Sequence, residues 1–190
     1  MGRGHGSSRG SGPGATMGAT ERGYSQTLAK AVQSREDEIR NSPNERISLF
    51  NESGKEIFRN DKGGEHGVSY PDELGGNAIV THNHPSGRSF SDDDVFGSVT
   101  LNGKEIRAVT STRTYSLKRP KEGWGVSGEA AQSRYKQLYF QNISKASKYV
   151  KSYTGDKQVA TRRAYGNIEH TTMKQLSKEF GWEYTTKRRQ

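Results

Sequence analysis

The 190 residues leave room for one ordinary domain with extensions, and an apolar fraction of 28% with a mean hydropathy of −1.02 predicts a modest core with poorly packed segments outside it. No apolar run approaches the ~20 residues that span a bilayer, and the first residues lack the apolar stretch of a secretory signal. With no cysteine, disulfides and thiolate metal sites are excluded, so any transition metal must sit on histidine and carboxylate ligands, and a reducing cytoplasm is the expected compartment.

The first 19 residues are rich in Gly and Ser with scattered Arg, too permissive in backbone and too poor in apolar groups to fold, and read as a flexible tail. Residues 20–41 turn helical, with Tyr24, Leu28, Ala31 and Val32 at three- and four-residue spacing before Asn41-Ser42-Pro43-Asn44 breaks the pattern. Residues 42–126 read as an α/β domain. Arg46–Phe50 and Lys55–Arg59 form a hairpin about the turn Asn51-Glu52-Ser53-Gly54, Gly63-Gly64 is a loop, Val68–Tyr70 a brief strand and Pro71–Leu74 a helical turn. Asn77–Thr81 is the best buried strand, continuously apolar between turn residues. A helix follows from Ser91 to about Leu101, then strands at Glu105–Ser111 and Thr114–Lys118.

From residue 127 to 190 the pattern is helical, with a second helix over Ile168–Phe180 before the charged end Lys187-Arg188-Arg189. Charge is concentrated here: residues 127–190 carry +8 of the formal +9, whereas residues 42–126 carry −1. Such a basic extension attracts polyanions through counterion release without sequence specificity; a solvated helix face has the same composition.

The chemistry-bearing stretch runs from Thr81 to Asp94. His82 and His84 are two apart at the end of an apolar strand, so both imidazoles leave the same face and can approach one ion. Pro85 ends the strand ladder there. Ser91-x-x-Asp94 reads as a helix opening, with Ser91 as N-cap and Asp94 at the third helical position. Two His and one Asp, with water as a fourth ligand, make an open site of catalytic type. A helix start displaced by a residue would put Asp92 or Asp93 in Asp94's place. A metal-activated water also needs a carboxylate as general base, and Glu45, Glu52 and Glu56 are the candidates, with Glu45 at the head of its strand preferred. His66 reads as a loop histidine, and His5 and His170 lie outside the domain with no role assigned.

Glu45, His82-x-His84-Pro85 and Ser91-x-x-Asp94, in this order, resemble the JAB/MPN (JAMM) metalloprotease superfamily over roughly residues 44–118. The string His-Asn-His-Pro-Ser-Gly is most similar to RadC-type and related prokaryotic or phage-associated branches. The Gly87–Ser91 loop is about one residue shorter than the RadC-type pattern. The contiguous His-Asn-His is not the dispersed motif of HNH nucleases. The resemblance implies a cytidine-deaminase-like mixed β-sheet flanked by helices, Zn²⁺ on His82, His84 and Asp94, Glu45 as general acid/base and Ser91 stabilising an oxyanion. It further implies hydrolysis of an amide or isopeptide bond in a peptide or protein. The alternative expectation is a phage-associated, virion-assembly or nucleic-acid-binding protein whose metal site is structural or vestigial.

Overall fold

A computed structural model describes residues 24–189; the tail expected over residues 1–19, and the first residues of the helix expected over 20–41, lie outside them. The elements are α1 (Gln26–Ile39), β1 (Ile47–Phe50), β2 (Glu56–Asn60), a single 3-10 turn at Asp72–Leu74, β3 (Ile79–Asn83), α2 (Asp92–Thr100), β4 (Glu105–Val109), β5 (Arg113–Lys118), α3 (Gly128–Ser152), α4 (Lys157–Tyr165), α5 (Ile168–Phe180) and β6 (Glu183–Arg188). One six-stranded mixed sheet runs β2-β1-β3-β4-β5-β6. The β3–β4 pair is parallel, joined through α2, and every other neighbouring pair is antiparallel. The chain is α/β, as its alternating patterns predict.

Side-chain alternation gives the sheet two unlike faces. Ile47, Leu49, Val80, Ile106, Ala108, Tyr115 and Leu117 point into the main core, where Val95 and Val99 of α2, Ala131, Tyr135 and Leu138 of α3, and Met173 and Leu176 of α5 cover them. The segment expected as a basic extension therefore shares this core. Trp182 closes one end, its indole N–H donating to the Trp124 carbonyl at 2.9 Å. Burying such faces against helices is what holds a layered domain together, at roughly 25 cal/mol per Å² of apolar surface removed from water.

The opposite face carries α1. Leu28 and Val32 pack on Phe50 and Ile79, and beside them lies a buried polar network. The Arg107 guanidinium is held between Glu36 at 2.5 Å and Glu105 at 2.8 Å, while Thr81 donates to Glu36 at 3.3 Å and Ser116 to Glu105 at 2.6 Å. Buried charge of this kind persists only when paired and hydrogen-bonded.

Three expectations differ from the structure. Val68–Tyr70 form no strand: the loop closes on itself through Gly64 N–H to Gly67 O, and Asn60 Nδ2 donates to the Ser69 carbonyl, so its backbone bonds are spent locally. The strand predicted to end at Thr81 continues to Asn83, because β4 supplies ladder partners Ala108 and Val109 to His82 and Asn83. The tail is not wholly helical. Gly181, at φ 70°, ends α5 in the left-handed cap that glycine adopts without strain, and Glu183–Arg188 then pairs with the free edge of β5. Tyr184 and the β-branched pair Thr185-Thr186 suit that edge.

Candidate metal centre

The centre is assembled from the ends of two adjacent strands and the first turn of α2. His82 and His84 leave the same side of the strand end, with Nε2 atoms 2.7 Å apart and ring centroids 4.6 Å apart. A contact of that length between two imidazole nitrogens requires one to carry a proton. His82 is 3% and His84 7% exposed, too buried for the solvated surface pair that a turn would ordinarily hold.

After His84 the chain turns sharply. Gly87 N–H donates to the His84 carbonyl with Gly87 at φ 76°, and the backbone returns to start α2 over the histidines. Ser91 is the N-cap in a complete capping box: its Oγ accepts Asp94 N–H at 3.1 Å, and Asp94 Oδ2 accepts Ser91 N–H at 2.7 Å. The Ser91 hydroxyl also donates to Asp94 Oδ2, at 2.8 Å. Locked in this way, Asp94 places Oδ1 3.1 Å from His82 Nε2 and Oδ2 3.4 Å from His84 Nε2. Asp92 and Asp93 accept from Gln132 of α3 at 3.0 and 2.9 Å and do not join the group of donor atoms at the histidines. The third helical position, and not its neighbours, thus meets the histidines.

The donor atoms could hold one small cation. Bonds of ~2.0–2.1 Å in a tetrahedral site put neighbouring ligands about 3.3–3.4 Å apart; the imidazole–carboxylate separations of 3.1 Å to Oδ1 and 3.4 Å to Oδ2 are close to that, and the 2.7 Å between the two Nε2 atoms is shorter. The three donor atoms lie within 4.8 Å of one another. Two imidazoles and a carboxylate suit zinc by chemistry, and other first-row divalent ions as well. The His84 Nδ1 is 3.1 Å from the Arg88 carbonyl, which fixes the tautomer that leaves Nε2 facing the centre.

Electrostatics follow the geometry. Burial pulls the His84 pKa down, but the Asp94 hydrogen bond and charge, with Glu45 and the Arg88 carbonyl, outweigh it and hold it up at about 9. Burial raises Asp94, and the two histidines overwhelm that effect and hold it well below the usual carboxylate range.

Glu45 sits beside this group. Ile47 faces His82 across the β1–β3 ladder, so two further residues bring position 45 opposite His84 on the same face. The glutamate lines a cavity of about 720 Å³ together with His82, His84, Ser91, Asp94 and Tyr70. Burial pushes its carboxyl up, opposed by the charges of His82 and His84 and reinforced by Asp94. Glu52 and Glu56, the other candidate bases, are engaged elsewhere, with Lys104 at 2.5 Å and Arg59 at 2.9 Å. His66 lines the cavity rim with its side chain 90% exposed.

Several supporting residues were not legible beforehand. Asn83, between the histidines on the opposite face, ties down the segment that carries Glu45. Gly63 lies against that same segment: a Cβ there would stand 2.3 Å from the Glu45 carbonyl oxygen. The site loop is pinned from the C-terminal elements, with Tyr184 Oη 2.7 Å from Ser89 Oγ and 2.7 Å from His170 Nδ1, and Arg88 paired to Glu169 at 3.2 Å. His170, to which no role was assigned, therefore belongs to the support of the site. A hint for Asn83 existed in the His-Asn-His string, since a strand residue between two ligands must face the other side. Nothing local marks Tyr184 or His170.

Comparison of the chain with protein-family models, with curated proteins and with solved structures found no match to any of them.

Proposed function

We propose that the protein is a metal-dependent hydrolase, with zinc as the favoured ion, that cleaves an amide or isopeptide bond in a peptide or protein. The observation that carries this reading is the convergence of His82 Nε2, His84 Nε2 and an Asp94 carboxylate oxygen on one point beside Glu45, at a cavity open to substrate. His82, His84 and Asp94 would hold the ion. A divalent ion so held supplies a Lewis acid that polarises a carbonyl and lowers the pKa of water from about 16 toward about 7.

The chain's own groups do the rest. Glu45, its carboxyl raised by burial among charges, accepts a proton from the attacking water at Oε and passes it to the departing amine nitrogen. The Arg88 carbonyl holds the His84 ring in register, and Ser91 holds Asp94. Once substrate occupies the cavity, the exposed Ser91 hydroxyl turns to donate to the developing oxyanion, a contribution of about 3–4 kcal/mol for a well-placed donor. The loop over residues 62–70 forms the cavity wall on the side of Glu45, whose backbone N–H it accepts at the Gly64 carbonyl.

The test pairs metal content with turnover. Purified protein is expected to carry about one zinc per chain, lost in His82→Ala. The zinc-loaded protein is then offered mixed peptide and isopeptide-linked substrates. Cleavage that drops by about 10²–10⁴ in Glu45→Gln, with zinc retained, supports the assignment. Full zinc occupancy with no turnover of any member of the set rejects it, as does activity indifferent to Glu45→Gln.

A further inference from the structure

Away from the metal centre, the second half of α3 and the whole of α4 carry a run of uncompensated positive charge. Residues 140–166 contain six Lys or Arg and one Asp, a net of +5. Lys145, Lys148, Lys151, Arg162 and Arg163 are all exposed, and none has an acidic partner among the described residues. Lys157 is used differently: its Nζ donates to the carbonyls of Val150 at 2.8 Å, Lys151 at 3.0 Å and Tyr153, capping the end of α3.

Aromatic side chains are interleaved with these cations. Among the described residues four large apolar side chains are exposed, and three of them fall in this segment: Phe140 at 65%, Tyr149 at 42% and Tyr165 at 36%. The buried face of α3 is furnished by Ala131, Tyr135, Leu138, Asn142 and Ala146, and Phe140 and Tyr149 lie off it, beside Tyr139 and Tyr153. Phe140, Ser144, Lys148 and Lys151 recur at the spacing that places them on one exposed side of α3.

We propose that this surface of α3 and α4 binds single-stranded nucleic acid. Unpaired cations on an exposed helix neutralise successive phosphates and release their counterions. Exposed aromatic rings between them offer stacking faces to unpaired bases, with tolerance of sequence. A duplex keeps its bases stacked on one another and offers these rings nothing. A bilayer requires a continuous apolar stripe, and here the apolar side of α3 is turned inward against the core. The surface is independent of the hydrolase reading, since none of its residues lines the cavity.

The test is fluorescence anisotropy of the full chain with a labelled oligothymidylate of about 20 nucleotides. A duplex of equal length, heparin and phosphatidylserine vesicles serve as competing probes. Binding to the single strand is expected to exceed the rest and to weaken linearly in log–log with salt, losing about 0.7 in slope per phosphate contact removed. The variant Lys148→Glu/Lys151→Glu/Arg162→Glu/Arg163→Glu is expected to abolish binding, whereas Lys55→Glu/Lys121→Glu leaves it within about twofold. Phe140→Ala/Tyr149→Ala is expected to weaken binding about tenfold while the salt slope stays unchanged. All these side chains are exposed, so melting temperatures stay close to that of the parent. Equal affinity for heparin and oligonucleotide with no loss in the aromatic variant overturns the proposal. Preference for the duplex overturns it, and so does vesicle binding without oligonucleotide binding.

Discussion

Asn83 Oδ1 accepts the backbone N–H of Arg46 at 2.8 Å, joining the strand that carries His82 and leads into His84 to the residue that follows Glu45. Its amide group also donates to the carbonyls of Ser42 at 3.2 Å and Asn44 at 3.1 Å. One fully buried side chain thus satisfies three backbone groups of the segment that delivers the candidate base.

Asn83→Ala should therefore separate the two halves of the site. The histidines and Asp94 are untouched, so metal content is expected to stay near one per chain. The Glu45 segment loses its anchor, and unfolding free energy is expected to fall by about 2–4 kcal/mol from the carbonyls and amide left unpaired. Denaturant unfolding and metal analysis read the two quantities separately. A variant that loses its metal while keeping full stability contradicts this division of labour.

The pH dependence of metal uptake follows from His84. A proton and a metal compete for the same Nε2, and the imidazole is held up at about 9. Apparent affinity should rise with pH, by up to ~tenfold per unit, and level off above about 9. Chelator-competition titrations between pH 6.5 and 9.5 measure this; a flat profile refutes it.

The same shifts set the stability of the metal-free protein. A histidine raised above its ordinary 6.5 contributes stability that is complete below about 6.5 and is lost as pH rises through about 9. Asp94, held low, contributes stability that is present above its ordinary 3.8 and disappears on further acidification through its depressed folded value. Metal-free melting temperature is expected to be highest between about pH 4 and 6.5, and the loss above 6.5 should shrink in Asp94→Asn, which removes the largest of the groups that raise His84. Thermal melts of both proteins across pH 3–10 decide the point.

Tyr184→Phe keeps the ring that packs near Phe90, with centroids 6.2 Å apart, and deletes only the hydroxyl shared by Ser89 and His170. A loss of about 1–2 kcal/mol in stability is expected from the two broken hydrogen bonds. Because Ser89 adjoins Arg88, whose carbonyl orients His84, metal affinity should weaken as well, by roughly 10-fold as for other residues that orient a ligand. Unchanged affinity in a destabilised Tyr184→Phe protein would limit the tyrosine to packing.

Gly63→Ala introduces a methyl group 2.3 Å from the Glu45 carbonyl oxygen and 2.7 Å from Val68 Cβ, both far inside van der Waals contact. Neither neighbour is a flexible side-chain tip, so the loop over residues 62–70 must shift. The expected outcome is a fall in turnover with normal metal content, read by the same peptide assay and metal analysis. Ala at the open position Gly64, which has no atom within 4 Å, is the matched control.

Much of the centre was legible in the sequence because it is local. A spacing of two on a strand puts His82 and His84 on one face, and Ser91-x-x-Asp94 after the Gly87 loop is a helix-start pattern; both hold in the structure through bonds between residues three or fewer apart. The apolar run Ala78-Ile79-Val80 likewise predicted the central strand, though not its continuation through Asn83, which depends on a ladder partner 26 residues away in β4. Glu45 is singled out in the sequence by the resemblance and not by local context, in which it differs little from Glu52 and Glu56; the fold separates the three by what they face.

By itself the sequence determined the α/β pattern, the exclusion of thiolate ligands and the local geometry of the two histidines and the Ser91–Asp94 turn. Each of these is set by residue type and by the repeat of a strand or helix over a few positions. Only the tertiary structure decided that Glu45 stands by the histidines, that Asn83 and Gly63 hold it there, and that Tyr184 and His170 reach back from the C-terminal end to the site loop. Those relations join residues 14 to 95 positions apart, and such contacts exist only after a sheet has chosen its strand order and a core has formed around it.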